Sequence, residues 1–349
     1  MEKENNTLHS SMDKKARVII AVIGLICSLP LWGGQLPVYL NWNSSNSYLF
    51  YKFPDNASGK FKENYNVHFG IDTLLTDEVR TRLDLTNQEK RLYSQVIIDY
   101  AMIDYQHENI GLQLAIKDFG YGQGFWLYNR RNDDAFYHKN SLVDYRWHGI
   151  SSSVQLGRNQ FGFGIGSNNL NRTISELYYG FQNEHLNLKA FGVFVPKSSI
   201  YSIGVYHGGT ELSYANDRIS LHSGYVYQYY PLCHLFPQME SWHLTNELGI
   251  RLTPAVKVIL SSDNQTNALS KRAEHIYEAC LDLKYGKLGS YLGASEKTVL
   301  NEKAYTYFAD LNWFILDKLS IGLFYDYVDF TQSKTYSRIG MQTSYQWTK

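Results

Sequence analysis

The chain of 349 residues is short of charge: Asp, Glu, Lys and Arg make up only 19% of it, below the roughly 25% of an ordinary soluble domain. Its 33 basic and 33 acidic residues cancel. That balance excludes a broadly basic nucleic-acid binder and an acidic disordered tail. Cysteine is scarce as well. Cys27, Cys233 and Cys280 form no C-x-x-C pair, and three residues exclude a disulfide scaffold. Proline occurs 7 times. Beyond Trp32 no apolar run approaches the about 18–20 residues of a membrane-spanning helix, and helical periodicity is missing too. The usual signatures of chemistry are absent: there is no G-x-S-x-G elbow, no phosphate-binding loop and no H-E-x-x-H. The 11 His are scattered without zinc-ligand spacing. No catalytic residue, metal or cofactor is therefore expected.

Aromatics are what the chain has in excess. It holds 29 Tyr, 17 Phe and 7 Trp, yet its mean hydropathy is −0.35. Tyrosine carries an apolar body and a polar tip. Such a composition suits a β-protein with one wet side and one greasy side.

The N-terminus reads as an address. Val18 to Trp32 (VIIAVIGLICSLPLW) is apolar and follows Lys14, Lys15 and Arg17. A basic flank before a short apolar run is the pattern of a secretory signal peptide. Residues 1–34 are expected to be this signal, with Met12 as the expected true start and Cys27 lost with the segment. Residues 35–60, rich in Asn and Ser, are expected to be a lead or an irregular first hairpin, and 61–349 the folded body.

That body alternates at period two, the mark of strands whose faces meet different surroundings. From Trp242 to Thr253, Trp242, Leu244, Leu248, Ile250 and Leu252 share one face with Asn246, while His243, Thr245, Glu247 and Arg251 share the other. Val79, Thr81, Leu83 and Leu85 oppose Arg80, Arg82 and Asp84; Tyr277, Ala279, Leu281 and Leu283 oppose Glu278, Asp282 and Lys284. Charge on one face beside grease on the other fits a closed sheet with a wet lumen and a lipid-facing wall. A sandwich gives the same alternation. Three features favour the barrel. Tyrosines gather near strand ends, as in Tyr225, Tyr227, Tyr229 and Tyr230. Expected polar loops at 129–144 and 262–272 alternate with tight turns at Thr253–Ala255 and Leu316–Lys318. The third is the last segment, Ser337 to Trp347, which is itself an alternating strand.

This last strand resembles the assembly signal of Gram-negative outer-membrane β-barrel proteins, on Gly340, Tyr345 and Trp347. It departs from the family habit in Thr343 and in the trailing Thr348 and Lys349. The resemblance implies a porin-like protein of the outer membrane, in contact with lipid and delivered by the barrel-assembly machinery. The fold expected is all-β, a transmembrane antiparallel up-and-down barrel of about 14–18 strands, with about 16 as the central value.

Function follows from what such a barrel holds. Arg80, Arg82, Asp84, Glu247, Arg251, Glu278, Asp282 and Lys284 are candidate pore-lining charges. Residues 230–241 are unusually apolar for a loop, which makes Cys233, His234, Leu235 and Phe236 candidates for a constriction. Phe136, Tyr137, Tyr145 and Trp147 are candidate loop aromatics for stacking sugars. In Phe161 to Gly166 one face is apolar and the other holds only glycine, leaving room for something to pack close. The expected function is a passive channel for small polar solutes. The alternative is a plugged barrel that binds surface polysaccharide or a protein partner through its loops, and an outer-membrane hydrolase comes third.

Overall fold

Lipid offers no partner to a backbone amide, so a β-protein can cross it only with every strand paired on both sides. This chain meets that condition. In the computed structural model the described residues form 18 antiparallel strands. They are β1 (Val38–Lys52), β2 (Ala57–Leu74), β3 (Val79–Lys90), β4 (Tyr93–His107), β5 (Ile110–Gln123), β6 (Ser141–Leu156), β7 (Asn159–Ser167), β8 (Thr173–Gln182) and β9 (Leu186–Val195). β10 (Val205–Ala215), β11 (Ile219–Tyr230), β12 (Met239–Thr253), β13 (Val256–Thr266), β14 (Ala273–Tyr285), β15 (Leu288–Val299), β16 (Glu302–Leu316), β17 (Leu319–Phe330) and β18 (Thr335–Thr348) complete the set. The structure describes residues 38–52, 57–90, 93–123, 141–167, 173–196, 205–230, 239–266, 273–299, 302–316, 318–331 and 335–348. Side chains are described within these ranges except for most of 38–68, for 86–100, 117–123 and 141–147, and for a few strand ends. The expected signal segment, residues 1–34 with Met12 and Cys27, lies outside them.

Each strand pairs with its neighbours in sequence, and β1 closes the ring by pairing with β18, from Tyr39 opposite Thr348 to Lys52 opposite Thr335. The strand number lies at the top of the expected span, above the central value. Two causes account for the difference. The turns use less chain than allotted, and the Asn/Ser-rich 35–60 stretch supplies β1 and the start of β2. The sheet thus begins at Val38 instead of residue 61.

Four tight turns lie at one rim. Glu108–Asn109, Gly157–Arg158, Pro254–Ala255 and Gly286–Lys287 are two-residue turns. Gly157 (φ 61°) and Gly286 (φ 55°) take the left-handed backbone that such hairpins need, and Glu108 takes it at φ 47° without glycine's freedom. The strand ends joined by the longer connections, β5 to β6 and β11 to β12 among them, lie at the opposite rim. The expected loop at 262–272 is shorter than its composition suggested, because Ser262–Thr266 belong to β13.

Directly paired residues of an antiparallel ladder share a face. One row can be followed from β3 to β12: Arg80, Asp104, Gln113, Ser151, Gly164, Glu176, Val193, His207, Gln228 and Ser241. Inside a closed sheet side chains crowd one another, so the buried face is the inner one. Glu176, His207 and Ser151 are buried accordingly. The alternate residues are apolar and exposed: Leu114, Ile150, Phe163, Leu177, Tyr277, Tyr307, Leu311, Leu323 and Ile339. Exposed grease on that scale suits lipid and would be costly in water.

Candidate functional site

The candidate site is the inner wall. Several of its charges are paired in place. Arg80 donates from Nε and Nη2 to the two carboxylate oxygens of Asp72, at 2.7 and 2.5 Å. Arg82 donates to Asp84 Oδ2 at 2.9 Å. Lys284 lies 3.7 Å from Asp282. Asp326, fully buried, accepts from Arg338 Nε at 2.7 Å, and the Arg338 guanidinium sits 4.9 Å over the Phe324 ring. His243 pairs with Asp263 across β12 and β13.

All eight candidate pore-lining charges fall on the face shared with these buried residues, by ladder register. Their settings differ. Arg80, Arg82, Asp84, Asp282 and Lys284 are in ion pairs. Glu278 is buried opposite Ser261, which in turn faces Glu247. Arg251 is exposed beside the short-turn rim. Asp263, Lys297, Asp310, Asp326 and Arg338 belong to the same wall, although sequence reasoning did not select them. The period-two signal that marked Glu247 extends to each of them. Aromatic neighbours and the loop-like composition around Asp263 obscure that signal.

The inner face is less uniformly polar than alternation implied. Ile259, Cys280 and Phe308 form a buried cluster with Tyr291 against it, and Ala304, Val328, Phe330 and Tyr336 form a second. Cys280 is a free thiol in the first cluster. The glycine face of β7 is filled by its neighbour: a Cβ on Gly162 would stand 2.0 Å from the Tyr178 ring, and one on Gly164 2.3 Å from the Glu176 carboxylate. What packs close there is β8 itself.

The lumen is also narrowed. β5 comes close to β10 and β11, with which it shares no ladder. Along the wall β6 to β9 lie between them, at about 4.8 Å per strand. The approach therefore runs across the enclosed space. On β11 and β12 nearby, inward Val226 and Thr245 are wholly buried.

Of the remaining predicted residues, Cys233, His234, Leu235, Phe236, Phe136 and Tyr137 lie outside the described residues. Tyr145 and Trp147 are not on a loop. They belong to β6, in register with Phe119 and Lys117 of β5. The polar run before them hid the strand start. Gly340, Tyr345 and Trp347 are in β18, the strand that pairs with β1 to close the ring.

No family model matches the chain, and no curated protein matches it. Solved structures do. OpdL of Pseudomonas aeruginosa is 10% identical, covers 89% of this chain and 99% of its own, and superposes with a TM-score of 0.57. OccK2 (OpdF) of the same organism, in complex with glucuronate, is 8% identical, with 89% and 98% covered and a TM-score of 0.56. OccAB4 of Acinetobacter baumannii is 10% identical, with 91% and 100% covered and a TM-score of 0.53. The chain has the outer-membrane porin fold. At such identities the likeness is one of fold, and it extends over nearly the whole length of the porins compared.

Proposed function

We propose that the chain is an outer-membrane channel through which small polar solutes pass by diffusion, with no cofactor and no catalysis. One observation carries this: a closed 18-strand ring is greasy outside and lined inside by carboxylates, guanidinium groups and amides. A sheet of that size encloses a lumen wider than its wall side chains can fill. The porin fold agrees, and so do the ligands of two of its members, glucuronate in OccK2 and vanillate in OpdK, both small polar acids. The short-turn rim is the periplasmic one by the usual outer-membrane arrangement. The wall facing the solute comprises Arg80, Arg82, Asp84, Glu247, Arg251, Glu278, Asp282 and Lys284, with β5 forming the narrowing. Gly340, Tyr345 and Trp347 serve delivery by the barrel-assembly machinery.

The close approach of β5 to β10 and β11 favours a second reading, a plugged barrel that binds surface polysaccharide or a protein partner. Single-channel recording in planar bilayers separates the two. Steady ohmic steps are expected of a channel; a silent bilayer loaded with correctly folded protein would leave only the plugged form.

A further inference from the structure

The charges of the short-turn rim are divided unevenly around the ring. The turns joining β2 to β3 and β4 to β5 carry Asp77, Glu78 and Glu108, and no lysine or arginine. The nearby cation Arg80 is bound to Asp72. From β10 to β17 the same rim carries Arg218, Arg251, Lys284, Lys287 and Lys318, all exposed, against Asp217 and Asp282 among the described residues. Arg218, Arg251 and Lys287 join no ion pair among the described residues.

The depth of these cations can be read from the wall below them. Tyr285, Leu288, Trp313 and Ile321 stand in register on the outer face, and Tyr285 is 84% exposed. Tyrosine and tryptophan at the end of a lipid-facing wall mark the level of the headgroups. Lys287 lies between Tyr285 and Leu288 in the chain, and Lys318 between Leu316 and Leu319. Both therefore stand at that level or just beyond it. Their turns are two strands apart, about 10 Å along the ring. Lys287 is held in place: its Nζ donates to the Ile315 carbonyl at 3.1 Å, at the bulge where β16 slips register. Two further donors remain on that ammonium.

We infer that the rim from β10 to β17 binds anionic phospholipid, with Lys287 and Lys318 on the phosphodiester and the acyl chains along Trp313 and Leu311. A headgroup without net charge gains less from unbalanced cations, and the acidic arc beside β2 to β5 repels an anion. A soluble acidic peptide would meet the cations but leave the adjoining greasy wall unused. Short turns belong to the periplasmic side, so the lipid is one of the inner leaflet. The inference needs the barrel in a bilayer but no open lumen, so it stands or falls apart from the channel.

Tryptophan quenching by brominated lipid tests it. The full-length protein keeps Trp313, with the other six tryptophans replaced by phenylalanine, and is folded into phosphatidylcholine vesicles. Brominated phosphatidylglycerol is expected to reach Trp313 with an affinity about fivefold above that of brominated phosphatidylcholine. A reporter on the acidic arc, Tyr105→Trp with Trp313→Phe, should show no such preference. Arg218→Gln, Lys287→Gln and Lys318→Gln together should bring the ratio at Trp313 to about one, as should 1 M salt. The matching lysine-to-arginine changes at 287 and 318 should keep it. Heat-modifiable mobility on gels selects folded samples. If the reporter with one tryptophan does not fold, the difference in quenching between the native protein and Trp313→Phe reads the same place. Equal affinities at Trp313, an equal preference at position 105, or a preference that survives the triple change overturns the site. Loss of the preference on adding polyglutamate at matched ionic strength gives the arc to a soluble acidic chain and overturns the lipid assignment.

Discussion

At the scale of the residue, the inner wall is held by few but costly interactions. Asp326 and Arg338 are both buried, and each charge is tolerable only because of the other. Removing one partner strands the other in a poorly solvated place. Asp326→Ala is therefore expected to destabilise the barrel by about 3–5 kcal/mol in urea titrations of protein folded into vesicles. Replacing the pair together, as Asp326→Leu with Arg338→Met, should recover most of that loss. A single-variant loss below about 1 kcal/mol would show that water reaches Arg338. Glu108 offers the opposite case. It holds a left-handed backbone at φ 47° that disfavours a side chain. Glu108→Gly is expected to stabilise by about 1 kcal/mol in the same titration. The charges of the wall were legible in the sequence; their pairing was not. Arg80 with Asp72 joins two strands whose register no alternation pattern reveals.

At the scale of the element, period two told each strand which of its residues share a face, and the structure keeps those faces. Leu311 is exposed on the outer face, and its neighbour Asn312 faces in, where it accepts from Gln342 at 2.8 Å. Leu311→Arg is expected to cost about 2–4 kcal/mol of folding stability in vesicles, the range for a cation near the middle of the bilayer. Asn312→Arg, one residue away, should cost about 1 kcal/mol, the worth of one hydrogen bond. Equal costs would mean that no lipid face exists. Element boundaries were harder to read. Ser262–Thr266, Tyr145 and Trp147 read as loop in sequence because polar residues surround them, yet they belong to β13 and β6. Inside a wet barrel a polar strand is ordinary, so composition stops separating loop from wall. The same ambiguity hid β1 in the Asn- and Ser-rich stretch from Val38 to Lys52.

At the scale of the molecule, closure is the decisive property. β1 and β18 are far apart in sequence, and their pairing removes the last free edge. Asn43 and Ser344 are directly paired. With Cys27, Cys233 and Cys280 changed to serine, Asn43→Cys and Ser344→Cys should form an intramolecular disulfide on mild oxidation, seen as a faster band on non-reducing gels after heating. Directly paired strand residues lie within the roughly 4.4–6.8 Å between Cα atoms that a disulfide spans. Intermolecular dimers instead would indicate an open sheet.

The sequence by itself determined the class of structure. Few charges, many tyrosines, no long apolar run and steady period-two alternation leave an all-β chain with a greasy face and a wet one. These are local properties, decided by which neighbours a residue has within one strand. Only the tertiary structure decided the strand number, the approach of β5 to β10 and β11, and the filling of the β7 glycine face by Tyr178 and Glu176. Each depends on register between strands and on contacts across the ring. Alternation repeats every two residues along any strand and so leaves open which residue of the next strand stands opposite.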